Sequence, residues 1–532
     1  MTDQARALGA LSLADILDRR AREDGARVFL RCDERTWTYA QARDEAARLA
    51  HGLAALGVRP GAAVCLMLHN SPEFVLTSLA IAWLGAVEVP INTAYRAELL
   101  RYQIDDAQAQ TIVIHADLLP RLQAVRDGVP GLRDVVVVGD PAVGTPGHVA
   151  FAQLAAQGEQ APRTPRGASD ESAIMYTSGT TGRSKGVVVT HGHANSFALD
   201  WIDAVGFGRD DVLFTPLPLF HSIARTLGVL PTLLTGAQIC VVERFSASRF
   251  WAQARAADAT VVHGIFGMIP ILLNQPPSPD DRAHRVRSWY IGSSALDAPF
   301  RERFGVEVIE VYGATETGIV TRFPAGADVV PGSCGKPNDA TYEVDLVDEL
   351  DEPVAAGEVG EIVVRPRRPW TIMTGYFHKP EATAEAFRNL WFHTGDYGRR
   401  DESGHIYFVD RKKDAIRRRG ENISSAEVEA AVNLHPAVLE SAAIAVPADI
   451  GEDEVKVFLV LQPGATVDFA EFIGFLDARL PYFMIPRYVE VIDALPKTPN
   501  QKVQKAVLRA AGTDGITDAT WDRERAGVTV SR

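Results

Sequence analysis

Apolar residues along the first half of the chain follow two rhythms. Stretches with apolar positions every three to four residues alternate with short unbroken runs: AAVCLML (62–68), TIVIHA (111–116) and DVVVVG (134–139). The first rhythm predicts helices and the second predicts strands buried on both faces. Their alternation implies parallel sheets covered by helices on each side. The leading segment MTDQARALGALSLADILDRRA reads as an amphipathic helix. From about Ala340 the rhythm changes. TYEVDLVDELDEPVAAGEVGEIVVRP alternates with period two and is punctuated by Pro and Gly, which predicts antiparallel strands and a small β-rich subdomain over about 330–410. Beyond VDRKKD (409–414), NISSAEVEAAV opens with Ser424 three residues before Glu427, a capping box that starts a helix. DEVKVFLVLQ (453–462) follows as a strand, so roughly the last 120 residues are expected to form a compact α+β domain.

Composition narrows this picture. A chain of 532 residues exceeds one hydrophobic core, so two or more domains are expected. The net charge of −14 argues against a general nucleic-acid binder, yet a single nucleotide needs only a local patch. Cys32, Cys65, Cys240 and Cys334 lie far apart without a CxxC pair, which fits a reducing cytosol and no structural zinc. The apolar run Val75 to Val87 has 13 residues, short of the roughly 20 that span a bilayer. The N-terminal segment lacks the apolar core of a signal peptide. A soluble cytoplasmic protein with no membrane or nucleic-acid partner is expected.

The segment MYTSGTTGRSKGVVVTH (175–191) carries the most informative chemistry. A loop that holds a polyphosphate needs hydroxyl donors, backbone N–H groups that glycine lets approach closely, and a cation. Thr177, Ser178, Gly179, Thr180, Thr181 and Lys185 supply all three. The loop is not the usual GxxxxGK[ST] pattern, because Ser184 precedes the lysine. Residue types alone leave a polar surface hairpin as the alternative.

YTSGTTGRSKG resembles the phosphate-loop signature of the AMP-forming adenylate enzymes, which include acyl-CoA synthetases, firefly-type luciferases and peptide-synthetase adenylation domains. Further segments similar to that family's motifs follow in order: PLPLFH (216–221), YGATE (312–316), GEVGEIVVRP (357–366), HTGD (393–396), DRKKDAIRRRGENISSAEVE (410–429) and LPKTPNQKVQK (495–505). The resemblance spans nearly the whole chain. It implies an α/β fold: a large N-terminal domain (1–411) of two α/β subdomains plus the β-rich subdomain, hinged near Lys413 to a mobile C-terminal domain (412–532).

The resemblance also implies roles. Thr177, Ser178, Gly179, Thr180, Thr181 and Lys185 would hold the ATP phosphates. Tyr312 and Gly313 would lie against adenine, with Ser293, Ser294 and Ala295 beside the nucleotide. Thr315 would reach the α-phosphate, and Glu316 would help hold Mg²⁺. Asp396 and Arg411 would bind the ribose. Lys502 would bridge the substrate carboxylate and the nucleotide during adenylation, and Thr177, His221 and Glu316 would join it in catalysis. The loop containing Gly420 would face CoA in a second pose of the C-terminal domain.

His221, Phe266, Met268, Gly292 and Gly313 are the candidate acyl-pocket walls. Adenylation domains for α-amino acids usually carry Asp at the position of His221, so an acid lacking an α-amino group is expected. The stretch from RRRGENISSAEVE to the tail is most similar to carnitine/crotonobetaine-CoA ligase-type enzymes, and a bulky acid of secondary metabolism is equally compatible. The implied reaction converts a carboxylic acid, through an acyl-adenylate, to an acyl-CoA thioester using ATP, Mg²⁺ and CoA.

One position departs from the family pattern. Gln501 stands where a glycine usually precedes the catalytic lysine. A non-glycine residue forced into a glycine conformation costs about 1–3 kcal/mol, and only the adenylating pose would bear that cost. A weak or absent adenylation half, with a separate adenylating enzyme supplying the acyl-adenylate, is one expectation. A stand-alone adenylation enzyme loading a carrier-protein thiol and a non-catalytic nucleotide- or acyl-adenylate-binding protein are the others.

Overall fold

The computed structural model describes residues 7–530 except 141–147, 157, 159, 178–183, 266, 292–295, 325, 412–415, 419–420, 424, 449–452, 481 and 498–501. Its N-terminal part holds two seven-stranded sheets of the same plan. The first orders the strands His148–Ala150, Asp134–Val138, Thr111–His115, Ala63–Met67, Val87–Pro90, Glu171–Thr177 and Lys185–Thr190. The second orders Glu307–Ile309, Ser288–Tyr290, Val261–His263, Val212–Thr215, Gln238–Val241, Val28–Cys32 and Arg35–Thr38. Within each sheet the strands run parallel except the last, which folds back as an antiparallel hairpin. The three apolar runs singled out above all form parallel strands of the first sheet.

The 13-residue apolar run does not cross a membrane. Most of it lies in the helix Pro72–Leu84, started by Ser71, whose hydroxyl accepts from Phe74 N–H, and ended by Gly85 at φ 66°. Twelve of its thirteen residues are buried, so it is apolar all round because protein surrounds it. Among the described residues no helix is long and apolar enough to span a bilayer. Over the described part of the expected N-terminal helix, Ala7 and Leu8 are helical, the helix breaks at 9–12, and a separate helix follows. It spans Leu13–Glu23, because Ser12 and Asp15 form a reciprocal capping box that fixes where it begins.

The β-rich region contains a three-stranded sheet (Val311–Ala314, Gly318–Arg322, Lys336–Pro337) and a four-stranded antiparallel sheet (Tyr342–Val347, Val359–Pro366, Phe392–Arg400, Ile406–Arg411). Its strands pack into the same core as the two large sheets. The C-terminal part has cores of its own on the two faces of the sheet Val438–Pro447, Asp453–Leu461, Tyr488–Val491 and Trp521–Asp522. The helix expected there runs Ser425–Val432. The Ser424 cap lies outside the described residues, and Asp410 Oδ2 accepts from both the N–H (2.7 Å) and the hydroxyl (2.5 Å) of Ser425. A carboxylate at the end of the β-rich sheet thus anchors the first helix of the C-terminal domain.

Asp200, in the helix His191–Val205, is buried, and its Oδ1 accepts from the Thr341 hydroxyl at 2.9 Å. Its Oδ2 has no partner among the described residues. Burial pushes its carboxyl from 3.8 up to about 6. Because the folded value lies above the unfolded one, the favourable contribution is fully present below about pH 4. It is lost as pH rises through 6. Asp200→Asn removes that loss. The variant is expected to be more stable than the parent at pH 7, by up to about 3 kcal/mol, with the gap closing toward pH 4. Urea unfolding at the two pH values measures this, and an equal difference at both contradicts it.

Candidate active site

The phosphate-type loop joins the antiparallel strands Glu171–Thr177 and Lys185–Thr190, so its two ends are held in register, with Thr177 opposite Lys185. Ser178, Gly179, Thr180 and Thr181 fall outside the described residues, while Thr177 and Lys185 frame the opening. The Thr177 hydroxyl lies 3.4 Å from Glu316 Oε1. Glu316 lies in the turn between the paired strands Val311–Ala314 and Gly318–Arg322. Gly313 is required there on steric grounds, since a Cβ would come within 2.0 Å of the Gly318 carbonyl oxygen. Burial raises the Glu316 carboxyl above the ordinary carboxylate range, against the lowering effect of the Thr177 and Tyr376 hydroxyls and the Lys185 charge. Beside it the Thr315 hydroxyl lies 3.5 Å from that of Ser222, one residue after His221.

The second part of the site comes from the four-stranded sheet. Asp396 and Arg411 are cross-strand partners, 3.7 Å apart from Oδ1 to Nε. Gly395, at φ 71°, lies in an irregularity of the strand pairing just before Asp396, and Asp396 N–H donates to the Thr394 hydroxyl at 3.1 Å. The Tyr312 hydroxyl donates to Asp396 Oδ2 at 2.8 Å, which links the YGATE hairpin to the HTGD segment. Burial raises the Asp396 carboxyl, opposed chiefly by the Arg411 charge.

The third part comes from the C-terminal domain. Lys502 is exposed to water, with protein atoms around it in sufficient number to desolvate the ammonium in part. This desolvation lowers its ammonium below the ordinary lysine value; Arg411 adds to the lowering, and Asp396 and Glu316 oppose it. Four charged groups distant in sequence therefore share one electrostatic field. Two carboxylates raised by burial and a lysine lowered by desolvation in one place are the kind of perturbed set that marks a candidate site.

Of the remaining expected residues, His221 is half-buried with its ring 4.7 Å from that of Phe220. Met268 is buried in the main core at the start of the helix Met268–Leu273. Phe266, Gly292, Ser293, Ser294, Ala295, Lys413, Gly420 and Gln501 lie outside the described residues. Among the described residues no cluster of three or more His, Cys, Asp or Glu side chains could cage a metal.

Sequence reasoning missed Tyr376. The segment that carries it is bonded along the Lys185 strand, with Phe377 N–H on the Gly186 carbonyl (2.7 Å) and Val188 N–H on the Gly375 carbonyl (3.0 Å). The Tyr376 ring centroid lies 4.2 Å from Lys185 Nζ, and its hydroxyl lies 3.4 Å from Glu316 Oε1. A lone tyrosine in TGYFHKP has no periodicity to mark it.

Fold and site together define an α/β class with a large N-terminal part and a small C-terminal part that contributes a lysine beside two carboxylates. The chain belongs to the AMP-binding enzyme family: that family's model matches residues 17–377, and the model of the AMP-binding enzyme C-terminal domain matches 427–502. It is 34% identical over 495 residues to the crotonobetaine/carnitine–CoA ligase of Salmonella paratyphi A, covering 91% of this chain and 95% of that one. Its structure is similar to that of the anthranilate CoA ligase AuaEII in complex with anthranoyl-AMP, with a TM-score of 0.85, 28% identity, and coverage of 96% and 99% of the two chains. ATP-bound MatB from Rhodopseudomonas palustris is also similar, with a TM-score of 0.83, 30% identity, and coverage of 93% and 98%.

Proposed function

We propose that this chain is an AMP-forming acyl-CoA ligase. It activates a carboxylic acid with ATP as an acyl-adenylate and transfers the acyl group to the thiol of CoA. The observation that carries the reading is that the Tyr312–Asp396–Arg411 cluster and the Thr177–Glu316 contact lie within the electrostatic reach of Lys502. In the first half-reaction a carboxylate oxygen attacks the α-phosphorus and pyrophosphate leaves. Negative charge must be neutralised as it redistributes, and fixed cations in a partly desolvated cleft do this best. Lys502 is assigned to the acid's carboxylate and the nucleotide, Lys185 to the phosphates, and Asp396 with Arg411 to the ribose hydroxyls. Tyr312 holds Asp396 in place through its hydroxyl and presents its ring to the base.

Glu316 suits Mg²⁺, which is usually held by one or two carboxylates together with substrate phosphates. The ion would supply charge neutralisation at the phosphates. In the second half-reaction the domain 412–532 turns about Lys413 and brings the Gly420 loop to the thiol. His221, where an aspartate would otherwise meet an ammonium group, favours an acid without an α-amino substituent. The reading places the enzyme in the cytoplasm.

Incubation with ATP, CoA and a panel of aryl, alicyclic and betaine-type acids is expected to give acyl-CoA, AMP and pyrophosphate in equal amounts. Formation of ADP, or of no thioester with any acid or with synthetic acyl-adenylates, defeats the reading. The same assay tests Gln501. Gln501→Gly is expected to raise pyrophosphate exchange by about 5- to 150-fold, the equivalent of about 1–3 kcal/mol of relieved backbone strain. Thioester formation from a synthetic acyl-adenylate should not change. Equal exchange in parent and variant shows that Gln501 imposes no handicap.

A further inference from the structure

Lys185 and Glu316 carry opposite charges and lie on either side of one tyrosine, yet no ion pair between them is found among the described residues. The Tyr376 side chain touches both. Its ring centroid is 4.2 Å from Lys185 Nζ, and its hydroxyl is 3.4 Å from Glu316 Oε1. We propose that Tyr376 is a positioning residue that holds the lysine and the carboxylate in one site while keeping them from neutralising each other. The proposal rests on the assignment of Lys185 to phosphate and of Glu316 to the metal-bearing side of the site.

Tyr376 is built to stay where it is. It is almost fully buried, and its backbone forms an antiparallel bridge to Val187 in the strand that begins at Lys185. Its N–H donates to the Thr383 hydroxyl at 2.9 Å. Thr383 also fills the space beside Gly375, where an added Cβ would come within 2.9 Å of its methyl group. On the far side Met373 N–H donates to the Glu316 carbonyl at 2.9 Å. One short segment is therefore bonded both to the carboxylate's own backbone and to the strand that carries the lysine.

The physical consequence concerns what a polyphosphate must displace. A direct Lys185–Glu316 pair in a desolvated cleft would satisfy both groups, and an incoming phosphate would have to break it. An aromatic face attracts an ammonium group less strongly than a carboxylate or phosphate does, because it offers a quadrupole and no net charge. The lysine is thus oriented by the ring and released to the stronger partner. The phenol hydroxyl meanwhile occupies Glu316 Oε1 by a neutral contact that a cation readily replaces. Among the groups that lower the Glu316 carboxyl, the Lys185 charge ranks below both hydroxyl contacts.

Two variants separate the two contacts. Tyr376→Phe keeps the ring beneath Lys185 and removes the hydroxyl from Glu316. Tyr376→Leu removes both and lets the two charges approach. In Tyr376→Leu, calorimetric ATP affinity is expected to fall roughly 10- to 50-fold, with AMP affinity within about twofold, because AMP lacks the phosphates assigned to Lys185. Tyr376→Phe is expected to keep ATP affinity within about threefold and to raise several-fold the Mg²⁺ concentration needed for tight ATP binding. Equal losses for ATP and AMP indicate a merely structural role and overturn the proposal, as does parent-like ATP affinity in Tyr376→Leu.

A second readout does not depend on nucleotide. After reductive ¹³C-methylation, the Lys185 methyl signal, assigned with Lys185→Arg, should be displaced upfield by the ring in the parent and in Tyr376→Phe. In Tyr376→Leu it should lose that displacement. If the parent binds neither ATP nor AMP, the functional reading fails on its own, and this signal still decides whether the tyrosine holds the lysine. No displacement in the parent overturns the proposal.

Discussion

Lys502→Ala is expected to lower acid-dependent pyrophosphate exchange by about 10²- to 10³-fold, the usual loss when one preorganised charge is removed from a transition state. Thioester formation from a synthetic acyl-adenylate and CoA should stay within about twofold. The split follows from where the charge is needed. Only in the first half-reaction does an anionic carboxylate attack the α-phosphorus, and Lys502 is the cation that the C-terminal domain places within the field of Arg411, Asp396 and Glu316. The pH profile supplies an independent check. Crowding by protein and the Arg411 charge lower the Lys502 ammonium below its ordinary value. The exchange rate of the parent should therefore fall on the alkaline side earlier than an ordinary lysine would dictate. The residual activity of Lys502→Ala should lack that limb. Equal losses in both half-reactions would place Lys502 in a structural role.

Removing one partner of the Glu88–Arg225 pair is expected to destabilise the N-terminal domain by about 3–5 kcal/mol, the usual cost of leaving a buried charge alone. Arg225 Nη2 lies 2.7 Å from Glu88 Oε2, with side chains 7% and 1% exposed, and the Ser78 hydroxyl donates to the same oxygen. Glu88 Oε1 and Arg225 Nε have no partner among the described residues, so the pair is incompletely satisfied. Replacing both, as Glu88→Met with Arg225→Met, should restore most of the stability lost in Glu88→Ala or Arg225→Met. Two apolar side chains avoid the desolvation that the ions retain.

The pair also reaches the site. Arg225 begins the π-helical turn Arg225–Val229, and its N–H donates to the His221 carbonyl at 3.0 Å. In the double variant the KM for the acid should therefore rise several-fold, with that for ATP unchanged. Thermal unfolding and steady-state kinetics of the three variants test both statements. Additive losses in the double variant would show that the two charges are uncoupled.

How much of this was legible beforehand depended on the range of the interaction. Short apolar runs are a local signal: Ala63–Met67, Thr111–His115 and Asp134–Val138 are strands because unbroken apolar residues suit a sheet buried on both faces. The alternation after Ala340 was equally local, and the strands Tyr342–Val347 and Val359–Pro366 pair antiparallel as their pattern requires. Thr177 and Lys185 stood out by residue type in one glycine- and hydroxyl-rich loop, and Tyr312, Glu316, Asp396 and Arg411 through the family resemblance of the short motifs that hold them. Within those motifs Gly313 has no room for a Cβ and Gly395 lies at positive φ.

Tyr376, Glu88 and Arg225 left no such mark. Tyr376 matters because a strap from residue 370 onward lies along a strand near residue 187. Glu88 and Arg225, 137 positions apart in the chain, each look like an ordinary surface charge until the fold buries them together. The break before the helix Leu13–Glu23 belongs with these on a smaller scale, since the Ser12–Asp15 capping box starts a new helix within a pattern that periodicity alone reads as continuous.

The sequence by itself determined the kinds of element, their order, the change from covered parallel sheets to antiparallel ones, and the family, because each is written in local periodicity or in contiguous motifs. Tertiary structure alone decided which charges share a site. It brought Lys502 to Asp396, set a tyrosine between Lys185 and Glu316, and paired Glu88 with Arg225. The physical reason is that electrostatic and packing energies depend on distance through space and on burial, and neither is encoded at any fixed separation along the chain.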